Sequence, residues 1–146
     1  NRSGLTFLKS LNFLPNVLAR GKAEEENALE AIFVKNGKAT EGTVSNIFVV
    51  KNREIRTPPL ENGILPGITR AFVLKLIKDL GMFSEEKSIK KEELLKADEV
   101  FLTNSVMEIM PVKTIDGKHM GEKVPGEVTS ALMSRYRIAM QKILAS

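Results

Sequence analysis

Apolar positions along the chain change period several times, and each change marks an element. Residues 11–28, "LNFLPNVLARGKAEEENA", carry Leu14, Val17 and Leu18 at helical spacing. Ser10 or Asn12 is placed to cap that helix, with Pro15 in its first turn. "EAIFVKNGKATEG" then reads as a strand, an Asn36-Gly37 turn and a return strand. "NIFVVKNREIRTPP" predicts a second hairpin turning near Asn52-Arg53, stopped by Pro58 and Pro59, which cannot donate to a sheet ladder. In "LPGITRAFVLKLIKDLG", Phe72, Val73, Leu76, Ile77 and Leu80 share one helical face, and Gly81 is a natural stop. "SIKKEELLKADEVFLTNS" predicts a short helix capped by Ser88 that runs into the strand "EVFLT". "IMPVKTIDGKHM" reads as a strand and a turn. Residues 126–146 form a last amphipathic helix with Val128, Leu132, Tyr136, Ala139, Met140 and Ile143 inward.

Hairpins come first and helices alternate irregularly, which argues an α+β or mixed α/β fold rather than a doubly wound parallel sheet. The 146 residues suit one domain with a substantial core. No internal repeat or linker divides them. The chain opens on Asn1 and enters patterned sequence within a few residues, so the expectation is the C-terminal part of a longer polypeptide.

Composition narrows the chemistry. Hydrophobic residues make up 42% and charged ones 27%, as in a folded globular protein. The net charge of +4 comes from 22 basic and 18 acidic residues interspersed along the chain. Aromatics are 5% with no Trp. A nucleic-acid surface of basic stripe and aromatic platforms is therefore not expected, and anionic small molecules fit better. No cysteine is present, which removes disulfides, zinc-thiolate sites and cysteine nucleophiles. The single histidine, His119 in "DGKHMGEK", reads as an exposed loop residue and supports no metal site. No apolar run is long enough to span a bilayer and no signal peptide is visible, so a cytoplasmic location is expected by default.

Four places carry possible chemistry. Lys9 stands among Leu5, Phe7, Leu8, Leu11, Phe13 and Leu14. It is either a surface cation with apolar neighbours facing away, or a partly desolvated amine kept for reaction. Gly67, Ile68 and Thr69 open the best-defined helix, where free N–H groups and the positive dipole end suit an anion. There the glycine would let the anion approach closely, though Pro-Gly also serves merely to turn a chain. Glu41 lies between two strand-like runs, where an exposed turn residue would also serve. Thr103, Asn104 and Ser105 end a hydrophobic strand, either as binding groups or as a polar turn. Together these are the parts that would hold an aldehyde cofactor bearing a phosphate and a ring nitrogen. A desolvated lysine forms a Schiff base, and a carboxylate keeps the ring nitrogen protonated.

Four ordered blocks, "LKSLNFLPNVLARGKA", "ATEGTVSNIFVV", "TPPLENGILPGITR" and "ADEVFLTNSVMEIMPV", resemble the class IV aminotransferases, the fold type IV pyridoxal-phosphate enzymes. The resemblance runs from Leu8 to about Leu132. It implies the large cofactor-binding domain of that fold over residues 1–146, with hairpin-rich sheets and flanking helices. The family's smaller N-terminal domain, which adds a phosphate-binding arginine and dimer contacts, is not in this sequence. The resemblance implies pyridoxal 5'-phosphate as cofactor, Lys9 as the Schiff-base and proton-transferring lysine, and Glu41 as partner of the pyridine nitrogen. It places Gly67, Ile68, Thr69 and Ser105 at the phosphate, with Asn104 adjoining. Phe13 stands near where branched-chain enzymes commonly carry a tyrosine. The loop "TNSVMEIMPV", with Asn104, looks more like the 4-amino-4-deoxychorismate lyases, which make 4-aminobenzoate and pyruvate toward folate. The alternatives are a branched-chain or D-amino-acid aminotransferase and an inactive fragment of such an enzyme. A small-molecule substrate and a homodimer of the full-length parent are expected, with no nucleic acid or membrane partner.

Overall fold

A computed structural model describes residues 14–146. Ser10 and Asn12, the expected caps of the first helix, lie outside that range. So do Lys9 and Phe13.

The first helix, α1, spans Leu14–Glu25 with Pro15 in its first turn, where a missing N–H costs nothing. Leu14, Val17 and Leu18 form its apolar stripe yet stay 62–65% exposed, and only Ala23 is buried. The first hairpin joins β1 (Ile32–Lys35) to β2 (Lys38–Gly42), and the second joins β3 (Asn46–Lys51) to β4 (Glu54–Thr57). Both turn through left-handed residues, Asn36 and Gly37 at φ 50° and 73°, then Asn52 and Arg53 at 50° and 65°. That geometry matches the twist of paired strands, and an asparagine adopts it at little cost.

Helix α2 (Ile68–Asp79) follows, then β5 (Ser84–Glu86), β6 (Ile89–Lys90), α3 (Lys91–Leu95), β7 (Glu99–Asn104) and β8 (Glu108–Pro111). A small ribbon of β9 (Thr114–Ile115) and β10 (Lys118–His119) precedes α4, Glu127–Leu144. The central sheet has the order β5-β4-β3-β7-β8, antiparallel except for β4 with β5. A second sheet, β1-β2-β6, lies beside it.

The middles of strands β3 and β7, Ile47 to Val50 and Val100 to Leu102, are continuously apolar because the central sheet is covered on both faces. Phe48, Val50 and Phe101 point toward α2 and α4, joining Val73, Leu76, Ile77, Val128 and Leu132. Phe48 and Phe101 stack at 4.8 Å across the ladder. Ile47, Val49, Val100 and Leu102 point the other way, against Ala39, Ile89, Leu94 and Met120. Helix α4 is fastened by Glu99 of β7, whose carboxylate accepts the N–H groups of Val128 at 3.0 Å and Thr129 at 2.8 Å.

Three expectations need correction. Ser88 does not cap α3. Its hydroxyl bonds the Asn62 side chain, and the helix starts instead where Glu93 accepts the Lys90 N–H at 2.9 Å. Leu80 and Ile143 continue their helices' apolar period but are 38% and 54% exposed, because each helix runs past the edge of the core. Among the described residues no helix is long and apolar enough to cross a membrane.

Candidate active site

The site grows from the end of β2. Glu41 is 5% exposed there, and its Oε2 accepts the Leu65 N–H at 3.0 Å. The Leu65 carbonyl in turn accepts the Asn46 amide of β3 at 3.0 Å. Both backbone groups of one loop residue are thereby tied to the sheets, three residues before α2 begins. The start of α2 is fixed relative to Glu41.

Gly67 occupies the cap position of that helix with extended backbone. A Cβ there would lie 2.2 Å from Asn46 Oδ1, so the absent side chain makes room for Asn46. The close approach that a glycine allows is used by the protein itself. Gly67→Ala is expected to lower stability by roughly 1–3 kcal/mol through overpacking, read as a shifted urea midpoint with unchanged slope.

No side chain caps the N-terminus of α2. Its first N–H groups have no intrahelical acceptor either, which leaves them for an anion. Ile68 is 88% exposed at the first position and Thr69 is 6% exposed at the second. Thr103, the register partner of Asn46, shares the face of Phe101 and Phe48 that α2 covers. Its hydroxyl is buried and has no hydrogen-bond partner. A buried hydroxyl left unpaired is costly, and a phosphate oxygen nearby is the kind of group that would satisfy it. Uncapped amides and threonine hydroxyls form a donor set suited to a phosphate ester.

Sequence reasoning passed over Arg70, in the first turn of α2. Its guanidinium is 4% exposed, donates to the Pro58 carbonyl at 3.0 Å and pairs with Glu86, while Nε has no partner. It pins the helix start to the ends of β4 and β5. Tyr136 of α4 was expected only as core. It packs edge-on against Phe72 at 5.4 Å, and its phenol stands beside Thr69. Burial pushes its pKa above the usual phenol range and the Glu108 charge adds to this, while a hydrogen bond from Thr69 acts the other way. A raised folded-state pKa means stability that is complete below about pH 10 and lost as pH climbs through the folded value. The stability difference between the chain and Tyr136→Phe is therefore expected to shrink between pH 9 and 12 (approximate limits of the phenol window), in urea titrations.

The Asn104 loop is built by its own side chain. Asn104 Oδ1 accepts the N–H groups of Val106 at 2.9 Å and Met107 at 2.6 Å, an Asx-type turn. Its Nδ2 donates to the Val44 carbonyl at 3.2 Å, which ties the loop to the turn after Glu41. Ser105 follows, exposed. The structure thus ties Glu41 to the approach to α2 through Leu65, sets Asn46 against Leu65 and Gly67, and ties the Asn104 loop to Val44. His119 lies apart, exposed, with Nδ1 3.1 Å from the Gly121 carbonyl. Among the described residues no group of three or more His, Cys, Asp or Glu could hold a metal ion.

The family model for amino-transferase class IV matches residues 1–115. The chain belongs to the class IV aminotransferases. It is similar to the D-alanine aminotransferase of Bacillus licheniformis, 48% identical over 122 residues covering 84% of this chain and 43% of that protein. It is 38% identical over 138 residues to the aminodeoxychorismate lyase of Bacillus subtilis, covering 94% of this chain and 47% of that one. Among solved structures, the branched-chain amino acid aminotransferase of Thermobaculum terrenum in its PLP form superposes with a TM-score of 0.87. That pair is 36% identical and covers 90% of this chain and 44% of the other. The chain spans less than half the length of these class IV relatives.

Proposed function

We propose that this chain is the cofactor-binding half of a pyridoxal-phosphate enzyme acting on small amino acids, within a longer polypeptide that pairs as a homodimer. The carrying observation is the tie between Glu41 and the start of α2. One buried carboxylate, hydrogen-bonded to Leu65, stands at a fixed offset from an uncapped helix N-terminus. A pyridoxal phosphate needs an anionic partner at its ring nitrogen and an anion cradle at its phosphate, and this arrangement supplies both. When bound, that group supplies an aldehyde and an electron sink for bonds at an amino acid's α-carbon.

The chain's own residues do the rest. The amides of Ile68 and Thr69 would hold the phosphate, and Ser105 would add a donor from the loop after β7. Glu41 holds a proton on the ring nitrogen. Lys9 carries the amine that anchors the cofactor and moves the proton at the substrate α-carbon.

Transamination of a D-amino acid is the first reading. The 48% identity with a D-alanine aminotransferase supports it. Asn104, whose amide favoured a lyase, spends its hydrogen bonds on its own loop and on Val44. The lyase is the second reading, supported by a match that covers 94% of this chain. Assays on the full-length polypeptide separate them. Keto acid formed from D-alanine and an acceptor keto acid supports the first. Aminobenzoate and pyruvate from aminodeoxychorismate, without amino transfer, overturns it in favour of the second.

A further inference from the structure

We propose that Glu30 is a positioning residue whose carboxylate fills an anion nest in the turn 42–45 and thereby sets where Glu41 and the Asn104 loop stand. The proposal rests on the cofactor reading above for what those groups do, though not for the geometry. Glu30 Oε1 accepts the N–H groups of Ala31 and Thr43, each at 3.0 Å, and the Thr43 hydroxyl. Oε2 accepts the Val44 N–H at 3.3 Å and the Ser45 hydroxyl at 2.9 Å. Two successive backbone amides and two hydroxyls converge on one carboxylate, as they do around bound anions. Here the anion is part of the chain.

The turn has no slack. The Gly42 N–H donates to the Ser45 carbonyl at 2.8 Å. A Cβ on Gly42 would sit 2.2 Å from Ser45 Oγ and 3.0 Å from the Glu30 carboxyl carbon. Its outward carbonyls reach the other parts of the site. Thr43 O accepts the Asn16 amide of α1, the helix that follows Lys9 in sequence. Val44 O accepts the Asn104 amide. Glu41 is the residue before the turn. One turn therefore joins α1, the Glu41 strand and the β7 loop, and Glu30 holds it closed. A glutamine in its place would turn an NH₂ toward N–H and O–H donors and open the nest.

Amide hydrogen exchange by NMR, on this chain without cofactor, tests the coupling. In Glu30→Gln, exchange at Val44 is expected to rise about tenfold or more, since that donor loses a charged acceptor, and at Thr43 by less, since its N–H also donates to the Ala31 carbonyl at 3.1 Å. The decisive amides are remote: Leu65, bonded to Glu41, and Val106 and Met107, bonded to Asn104. They are expected to exchange at least about threefold faster while Phe48 and Phe101 keep their core protection. A response confined to Thr43 and Val44 would overturn the proposal. Ser45→Ala removes one hydroxyl and no charge. It is expected to show the same remote pattern at smaller size, and serves if Glu30→Gln unfolds. A borohydride-trapped pyridoxal-phosphate adduct on Lys9, half-saturating at about tenfold more cofactor in Glu30→Gln, adds functional support. If neither the unaltered chain nor the full-length polypeptide forms an adduct, the cofactor reading fails, and exchange still decides the role of Glu30.

Discussion

Replacing Lys9 by alanine will abolish turnover in the full-length enzyme, with kcat falling by about 10³-fold or more. Proton transfer by a positioned side chain alone is worth roughly 10²–10⁴-fold, and in the proposed function this lysine would also supply the cofactor's anchoring amine. The two roles separate by chemical rescue. A small primary amine added to Lys9→Ala will restore a measurable part of the rate by carrying the proton, and will restore no covalent attachment. Steady-state turnover near the unaltered rate in Lys9→Ala would remove Lys9 from the mechanism.

The second large effect belongs to Glu41. Glu41→Gln keeps an oxygen able to accept the Leu65 N–H and removes the negative charge. Stability should therefore change little, because the tie between β2 and the start of α2 persists. Activity should fall by about 10²–10³-fold, the size seen when one preorganised electrostatic partner is removed from a reacting centre. The pairing of results carries the argument. Thermal unfolding within a few degrees of the parent, with kcat lowered that far, marks a carboxylate kept for its charge. A large loss of stability with a small loss of rate would make Glu41 a brace of the fold.

Local structure was legible wherever neighbouring residues determine it. Asn36-Gly37 and Asn52-Arg53 turn their hairpins because the chain needs left-handed residues there, and asparagine tolerates that backbone. Helices α2 and α4 followed from apolar period, and the class IV assignment from four ordered blocks. Failures came where a side chain serves something distant. Ser88 looked like a cap for the residues after it, but its hydroxyl bonds Asn62, 26 residues earlier. Ile143 keeps the helical period, yet it is 54% exposed near the end of α4.

The candidate site divides in the same way. Glu41, Thr69 and Asn104 could each be singled out by residue type and setting, but nothing in the sequence says that Leu65 ties Glu41 to the approach to α2, or Val44 the Asn104 loop. Gly67 was read as room for an anion, and the structure adds that a Cβ there would meet Asn46. Thr103 was legible only as one of three polar residues ending a strand, and Arg70 and Glu30 drew no notice. A buried hydroxyl without a partner, a guanidinium under a helix start and a carboxylate in a nest exist only once strands far apart in sequence meet. A hydrophilic residue inside an apolar period, such as Arg70 beside Phe72 and Val73, was the one available hint.

The central claim is that this chain assembles a pyridoxal-phosphate site from Lys9, Glu41 and the start of α2. The most direct test adds the cofactor to the purified chain, reduces with borohydride and maps the modified peptide by mass spectrometry. The account predicts a single adduct on Lys9, suppressed when inorganic phosphate is present before reduction and lost in Lys9→Ala. Labelling spread over surface lysines, unchanged by phosphate or by that substitution, would contradict it.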